Sequence, residues 1–388
     1  MTPAARLQAV IEILREDTAQ PLERQLKAWF KRHRFAGSSD RRAIAERVYA
    51  VYRARAHFAH RLGSDDARSL AIASLLVEGE DPARYFTGGY GPEPLSGEER
   101  ARIAAPATPL PPDVEGEYPK WLEGELERAF GPRLKTEMAA FQLRAPVDIR
   151  VNSLKATRDK VQSRLRADGI EAAALPSLPD GLRCSWAQPL TRHPLYAEGA
   201  FEIQDAAAQT TVLFCGAKPG MKVLDLAAGA GGKALALAAA MENQGEIVAS
   251  DVREEALAEL RRRAARAGAR IIGTELAGRV PDGAFDLVLL DAPCSGSGTW
   301  RRQPELKWRL TPLRLGELMA LQDRLLDQAA ERGGRLAYAT CSILPCENQD
   351  RVEAFLARHP DFSRKGEYRA SPATTGSDGF YAALLARG

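Results

Sequence analysis

Val223-Leu224-Asp225-Leu226-Ala227-Ala228-Gly229-Ala230-Gly231-Gly232-Lys233 is a short apolar run that breaks into a glycine-rich turn and opens a helix. The apolar run has the character of a buried strand, and its glycines let the backbone turn tightly and approach a ligand closely. The helix that follows, Ala234–Met241, leads to a second apolar strand, Ile247-Val248-Ala249-Ser250-Asp251, and to a basic helix, Glu254–Ala267. Further strands are expected at Arg270–Gly273, Phe285–Leu290 and Arg335–Ala339, with a last, antiparallel one at Phe380–Leu385. Strands alternating with helices make a mainly parallel sheet, so residues 201–388 are read as a Rossmann-like α/β domain.

Upstream, the periodicity is helical. Leu7, Val10, Ile11 and Leu14 recur at i, i+3, i+4 and i+7, and a similar stripe, Leu22, Leu26, Trp29 and Phe30, follows Pro21. Ser38-Ser39-Asp40 offers an N-cap ahead of Ile44, Val48, Val51 and Tyr52, and a fourth helix is expected over Asp66–Val77. Residues 1–86 are therefore read as an all-α bundle whose basic loop, between the second and third helices, stays outside. Dense glycine and proline, including Pro109-Leu110-Pro111-Pro112, mark 87–117 as a linker. Residues 118–200 read as a small α+β extension. It holds helices over Tyr118–Phe130 and around Leu134, Met138 and Phe141, then an extended Val147–Asn152. A helix Arg158–Ala167 and short strands near Glu171 and Leu182 complete it.

With 388 residues, 45% hydrophobic and 27% charged, the chain has the make-up of a globular protein of two or three domains. No apolar run approaches the ~20 residues of a bilayer span, and the N-terminus lacks a signal-peptide core. Five cysteines, an odd and small number, argue against a disulfide framework and for a reducing, cytoplasmic setting. Cys341 and Cys346 are too widely spaced for a zinc knuckle and histidines are scarce, so no metal is expected. The net charge of +3 is unevenly spread: residues 1–63 carry about +7 and the rest about −4. That asymmetry, clustered at Lys31, Arg32, His33, Arg34, Arg41 and Arg42, points to nucleic acid as the partner. Nothing demands a partner chain, so a monomer is expected.

In an open α/β sheet the ligand crevice lies at the carboxyl ends of the strands. Two cysteines fall there: Cys341 in Tyr338-Ala339-Thr340-Cys341-Ser342, and Cys294 in Asp291-Ala292-Pro293-Cys294-Ser295-Gly296. Free cysteines are commonly buried and inert; two at two strand ends, one three residues beyond an Asp, point to chemistry instead. The turn 227–233 and Asp251 suit a nucleoside, since a carboxylate accepts both hydrogen bonds of a ribose diol. Gly229-x-Gly231-Gly232 is neither G-x-G-x-x-G nor a Walker loop, because Ala234 stands where the magnesium-holding Ser/Thr would be. S-adenosyl-L-methionine, a nucleoside without phosphates, fits better.

Several motifs occur together in a fixed order: Tyr196-x-x-Gly199-x-x-x-x-Gln204-Asp205, the Asp225–Lys233 turn, the Asp291–Gly296 and Tyr338–Ser342 stretches with Glu347-Asn348, and Asp378-Gly379-Phe380-Tyr381. In this the chain resembles the RNA cytosine-5 methyltransferases of the Sun/Nop type, above all the bacterial enzyme for small-subunit ribosomal RNA. The likeness runs from about Tyr118 to the C-terminus; Arg301-Arg302-x-Pro304-Glu305-x-Lys307-Trp308 adds to it. Gly37-Ser38-Ser39-Asp40-Arg41-Arg42-x-Ile44-Ala45-Glu46 resembles the helical antitermination-factor-type RNA-binding domain of that subfamily.

The resemblance implies a division of labour. Cys341 matches the nucleophile that adds to cytosine C6, Asp291 the acid that stabilises the activated base, and Cys294 the thiol that removes the C5 proton. Ala227, Ala228, Gly229, Ala230, Gly231, Gly232 and Lys233 match the cofactor turn, Asp251 the ribose acid, and Asp291 borders the same site. The family places an Asp after the third strand to meet the adenine; here Glu275 is the acid available. Its turn also reads Cys-Ala-Ala-Pro where this chain has Ala227-Ala228-Gly229-Ala230. Arg301, Arg302, Lys307 and Arg309, interleaved with Trp300 and Trp308, read either as a phosphate track with stacking or as a surface loop anchored by its tryptophans. The expected partner is ribosomal RNA or an assembling small subunit. Two rivals remain: an idle RNA-binding or assembly factor that kept the fold, and an adenine amino-methyltransferase. The latter is disfavoured because Asp291-Ala292-Pro293-Cys294 has no aromatic to stack the base.

Overall fold

A computed structural model describes residues 1–16, 20–185, 190–281 and 283–388. They form two units, Met1–Leu143 with Trp300–Leu310, and Arg144–Thr299 with Thr311–Gly388. Among the described residues no helix is long and apolar enough to cross a membrane.

In the first unit the helices Pro3–Arg15, Leu22–Arg32, Ser38–Arg53, Arg55–Leu62 and Ala67–Val77 bury the apolar stripes in one core. Leu7, Val10, Ile11, Leu22, Trp29, Ile44, Val48 and Val51 lie in it. Asp66 caps the last of these helices by accepting from Arg68 N and Ser69 N, an interaction worth ~1 kcal/mol. The helix Arg55–Leu62 is an addition to the reading: only Ala54 separates it from its predecessor, and Gly63 in the left-handed region ends it.

Residues 87–117, read as a linker, are instead built into this unit. Ser96 and Glu99 form a capping box for the helix Gly97–Ala104, and Arg61 donates to Arg102 O (3.2 Å) and Ile103 O (2.8 Å). The chain's prolines shape these turns without freeing them. The excursion Trp300–Leu310 joins the same unit through polar anchors. Leu22 N donates to the buried Glu305 Oε1 (3.0 Å), Lys307 Nζ to Glu117 O (2.7 Å), and Trp308 Nε1 to Tyr52 O (2.7 Å).

The second unit opens with a small antiparallel sheet of β1 (Val147–Val151), β2 (Ala172–Ala174), β3 (Gly181–Cys184) and β4 (Phe201–Ile203), ordered β2-β3-β1-β4. The helix Arg158–Ala167 contributes Val161 and Leu165 to its core. The large sheet contains β5 (Lys222–Asp225), β6 (Glu246–Asp251), β7 (Ile272–Leu276), β8 (Leu287–Asp291), β9 (Arg335–Thr340), β10 (Phe362–Ala370) and β11 (Phe380–Arg387). Their order is β10-β11-β9-β8-β5-β6-β7. β5 through β9 pair in parallel, and β11 runs antiparallel between β9 and β10. The α/β expectation therefore holds.

The third strand starts two residues later than expected, and Phe285 forms only an isolated bridge to Gly333 ahead of β8. β10 escaped the reading altogether. Because β5 has β6 on one side and β8 on the other, the chain order reverses beside it, and a crevice opens at the strand ends there.

Candidate active site

After β5 the backbone passes through Gly229 (φ 54°) and Gly231 (φ 80°), conformations that favour glycine. At Gly231 space decides as well, because a Cβ there would overlap Leu260 of the helix Glu254–Ala267. Gln204 braces the far side of the turn: its Nε2 donates to Gly232 O (3.2 Å), and Arg150 Nε donates to its Oε1 (2.7 Å). Beside the turn lies a cleft of about 840 Å³. Ala227, Ala228, Gly229, Ala230, Gly232 and Lys233 line it, together with Asp251 and Asp291; Gly231 faces the helix instead.

Asp251, at the end of β6, accepts from Gly229 N on Oδ2 (2.9 Å) and from Arg253 N on Oδ1 (2.9 Å). The Arg253 guanidinium adds bonds to both oxygens (3.0 and 3.2 Å). Burial works against ionisation, but these donors hold the Asp251 carboxyl below its usual range. Arg253 was missed in the sequence; only its place two residues past the acid could have flagged it. Glu275 stands inside β7 opposite Ser250 and does not line the cleft, where Ala277 and Gly278 take that wall. The physical reason is register: the strand runs past Glu275 to Leu276, so the acid lies within the ladder and not at its end.

Unpaired groups beside the turn fit a bound nucleoside with a charged sulfonium. Ser250 Oγ, in the lining, has no hydrogen-bond partner among the described residues, nor does either carboxyl oxygen of the buried Asp225. Burial, reinforced by Asp291, pushes Asp225 up to about 7. A nearby cation is the natural remedy for such a carboxyl. Val252, 78% exposed, and Val280 supply apolar lining for a base.

The two cysteines come together. Cys294 Sγ and Cys341 Sγ are 3.4 Å apart, beyond the ends of the neighbouring parallel strands β8 and β9. All five cysteines are free thiols. The hydrogen bond to Cys341 and burial push the Cys294 thiol well above its ordinary value. Asp291, three residues before Cys294, accepts a 2.6 Å hydrogen bond from Lys233 Nζ on Oδ2; no partner holds its Oδ1 among the described residues. Lys233 is buried. Burial alone would lower its pKa, yet Asp291, then Cys341 and Asp225, raise it above the usual lysine range. A cation therefore stands beside the acid and the thiol.

Glu347 stitches the two cysteine loops to each other. Fully buried, its carboxyl accepts from Ser295 N (2.8 Å), Ser295 Oγ (2.5 Å), Ser342 Oγ (2.6 Å) and Gln322 Nε2 (3.1 Å). Ser297 and Ser342 share a 2.9 Å hydroxyl contact, and Asn348 Nδ2 donates to Ser342 O (3.0 Å). Gly298 N donates to Cys341 O (2.9 Å) and Gly379 N to Gly298 O (2.8 Å). Gly298 and Gly379 pack backbone on backbone, since a Cβ on either would overlap the other. The Asp378-Gly379 motif is thereby explained: it closes the loops from outside, and Asp205 holds it by accepting from Asp378 N (3.2 Å).

The basic and aromatic stretch after Cys294 does not form the phosphate track. Lys307, Trp308 and Arg309 spend their donors on Glu117 O, Tyr52 O, Gln20 O and Gln25 Oε1 within the first unit. Lys307 and Arg301 are buried there. The anchored-loop reading is the one that holds. No group of three or more His, Cys, Asp or Glu among the described residues is arranged to hold a metal ion.

Comparison with known proteins agrees with this geometry. Residues 214–386 match the family described as 16S rRNA methyltransferase RsmB/F, and residues 118–191 match the ferredoxin-like domain of RsmF/B-like methyltransferases. The chain is 34% identical over 286 residues to the ribosomal RNA small subunit methyltransferase B of Klebsiella pneumoniae, covering 70% of this chain and 66% of that one. The Salmonella typhi protein of the same name is 34% identical over 284 residues, covering 69% and 66%. The match thus spans a little under two thirds of those relatives' length. Among solved structures, PH0851 is 26% identical with a TM-score of 0.80, covering 100% of this chain and 99% of that one. A methyltransferase homolog from Pyrococcus horikoshii is 27% identical with a TM-score of 0.62, covering 71% and 97%. RsmB/F methyltransferases are S-adenosylmethionine-dependent. With both its ferredoxin-like and its α/β regions matched, the chain belongs to the RsmB/F methyltransferase family.

Proposed function

We propose that this protein is an S-adenosyl-L-methionine-dependent methyltransferase that forms 5-methylcytosine in RNA, with small-subunit ribosomal RNA as substrate, through a covalent adduct between Cys341 and C6 of the base. The observation that carries the reading is the 3.4 Å separation of two thiols next to Asp291 and Lys233, at the strand ends that border the nucleoside-sized cleft. The turn 227–233 and Asp251 would hold the cofactor, which would supply a methyl group on a sulfonium sulfur that is left as a neutral thioether when the sulfur–methyl bond breaks.

Cytosine C5 is a poor nucleophile. Addition of the Cys341 thiolate to C6 forms a sulfur–carbon bond and moves the ring's electron pair to C5, which then takes the methyl group. A free thiol is only a few per cent ionised at neutral pH. The Lys233 cation stands beside the Cys341 sulfur, and Cys294 Sγ lies 3.4 Å from it, within hydrogen-bonding reach. Asp291 offers Oδ1 to the N3 side of the base, help of the general acid–base kind worth ~10²–10⁴ in rate.

The raised pKa of Cys294 fits its later task. While Cys341 is anionic, Cys294 keeps its proton. Once Cys341 is bonded to carbon, that charge is gone and Cys294 ionises more readily. It then removes the C5 proton, the sulfur–C6 bond breaks, and the Cys341 thiolate leaves. The target base must be unpaired or flipped to reach the thiols. The site suits RNA in the cytoplasm, where both thiols stay reduced.

The test is transfer of a labelled methyl group to bulk RNA, followed by nucleoside analysis. 5-Methylcytosine is the expected product. Methyladenine would replace this reading with an amino-methyltransferase, and absence of label would leave an idle RNA-binding factor.

A further inference from the structure

The five cysteines are not equally open to oxidation. Cys184, Cys215 and Cys346 are buried, whereas Cys294 and Cys341 keep part of their surface accessible. Burial also pushes Cys184 and Cys215 up to about 12, so neither offers the thiolate that an oxidant attacks. Cys215 Sγ is further spent as a donor to Thr211 O (3.1 Å). One accessible pair remains, with its sulfurs 3.4 Å apart.

The fold keeps that pair together. β8 and β9 are parallel neighbours with Asp291 opposite Ala339. Cys294 lies three residues past Asp291 and Cys341 two past Ala339. Glu347 takes donors from Ser295 on one loop and Ser342 on the other, which stops the loops from parting. A disulfide joins its sulfurs at about 2.0 Å, so about 1.4 Å remains to be closed. Rotation of the two side chains spans that gap without moving either strand.

The sulfurs also differ in a way that orders the steps. The hydrogen bond to Cys341, then burial, hold the Cys294 thiol well above its ordinary value, so it keeps its proton. The Lys233 cation stands beside Cys341 instead. Cys341, as a thiolate, attacks a peroxide: its sulfur bonds to one oxygen, the oxygen–oxygen bond breaks, and the other oxygen takes a proton and leaves as water. The sulfur of Cys294 then displaces the hydroxyl of the Cys341 sulfenic acid, forming the sulfur–sulfur bond. The Cys294 proton departs with that hydroxyl as a second water. Two thiols and one hydrogen peroxide thus give one disulfide and two waters.

We propose that Cys294 and Cys341 form a reversible disulfide when they meet a peroxide, a redox switch that halts methyl transfer and shields Cys341 from irreversible oxidation. The regulatory part rests on the reading of Cys341 as the nucleophile: once bonded to Cys294, its sulfur is no longer a thiolate and cannot add to C6.

The test exposes the reduced full chain, without RNA, to hydrogen peroxide, then alkylates and digests it for mass spectrometry. The expected product is a cross-linked pair of peptides carrying Cys294 and Cys341, two hydrogens lighter than the reduced pair, with Cys184, Cys215 and Cys346 alkylated. Methyl transfer to RNA, assayed on the same samples, is expected to fall in step with the bridged fraction and to return with dithiothreitol. Cys294→Ala lacks the second sulfur. Its Cys341 is expected to stop at a sulfenic acid that dimedone traps, and then to advance to a sulfinic acid that dithiothreitol does not reverse. Sulfinic acid at Cys341 of the parent chain with Cys294 alkylated overturns the proposal, as does activity that survives complete bridging. An active chain that forms no bridge overturns the switch alone. A chain inactive before oxidation overturns the proposed function and, with it, the switch.

Discussion

Glu347→Ala tests how the thiol pair is held together. The carboxyl collects four donors from three segments, and they do not suffer equally from its loss. Ser295 Oγ and Ser342 Oγ can turn toward each other, being 3.4 Å apart, and Gln322 Nε2 keeps Pro293 O at 2.9 Å. Ser295 N has no such fallback. An unsatisfied buried donor costs ~1–3 kcal/mol, so the variant should lose about that much stability, with a cavity contribution on top. The kinetic cost should be larger than the stability cost implies. Ser295 follows Cys294 directly, and a shift of its amide toward a new acceptor moves Sγ away from Cys341. A displacement of ~1 Å at a reacting centre costs ~10² in rate. Steady-state methyl transfer should therefore show kcat down about 10²-fold, while cofactor affinity, measured by calorimetry, stays unchanged, because Glu347 does not line the cleft. Glu347→Gln, which keeps one carbonyl oxygen, should recover part of the rate. Unchanged kcat in Glu347→Ala in a well-folded variant would refute the reasoning.

Three further outcomes follow from the same geometry. Asp225 is pushed up from 3.8 to about 7 in the folded chain, so the folded state binds the extra proton and stability falls as pH rises from about 4 to about 7. Asp225→Asn should flatten that fall, raising the unfolding midpoint at pH ~8 but not at pH ~4; an equal effect at both would discount the buried charge. The Arg253 guanidinium occupies both oxygens of Asp251, the acid proposed to take the ribose diol, and a pair whose cation stays exposed is worth ~0.2–1 kcal/mol. Arg253→Ala should tighten cofactor binding by about 2- to 5-fold on a calorimetric titration, and weaker binding would mean the arginine assists the ligand. Gly379→Ala forces a methyl into Gly298 and Ile343. It should lower stability by ~1–3 kcal/mol and activity with it, and an unperturbed variant would remove the glycine contact from the account.

Much of the α/β half was legible because its strands are apolar runs ended by glycine or an acid. The turn at Gly229 and Gly231 and the termination of β8 and β9 next to cysteines are local facts, and local facts survive folding. What was hidden depends on distant partners. β10, Phe-Ser-Arg-Lys-Gly-Glu-Tyr-Arg-Ala, is a polar edge strand that exposes most of its side chains and so lacks an apolar pattern. The break at Ala54 is marked by neither proline nor glycine. Glu275 was placed by residue type, but the register of β7 against β6 is fixed by packing and leaves it inside the strand. Lys307 looked like a phosphate ligand because its true acceptor, Glu117 O, lies 190 residues away in sequence. Glu347 stood in a recognised motif, yet its role emerged only when the serines of two loops were seen around it.

The most direct test of the central claim is mass spectrometry of the Cys294→Ala protein after incubation with substrate RNA and S-adenosyl-L-methionine. The account predicts a denaturation-resistant protein–RNA species whose linkage maps to Cys341, with C5 already methylated and its proton retained. Free, fully turned-over RNA with no linkage at Cys341, or a linkage at another residue, would contradict it.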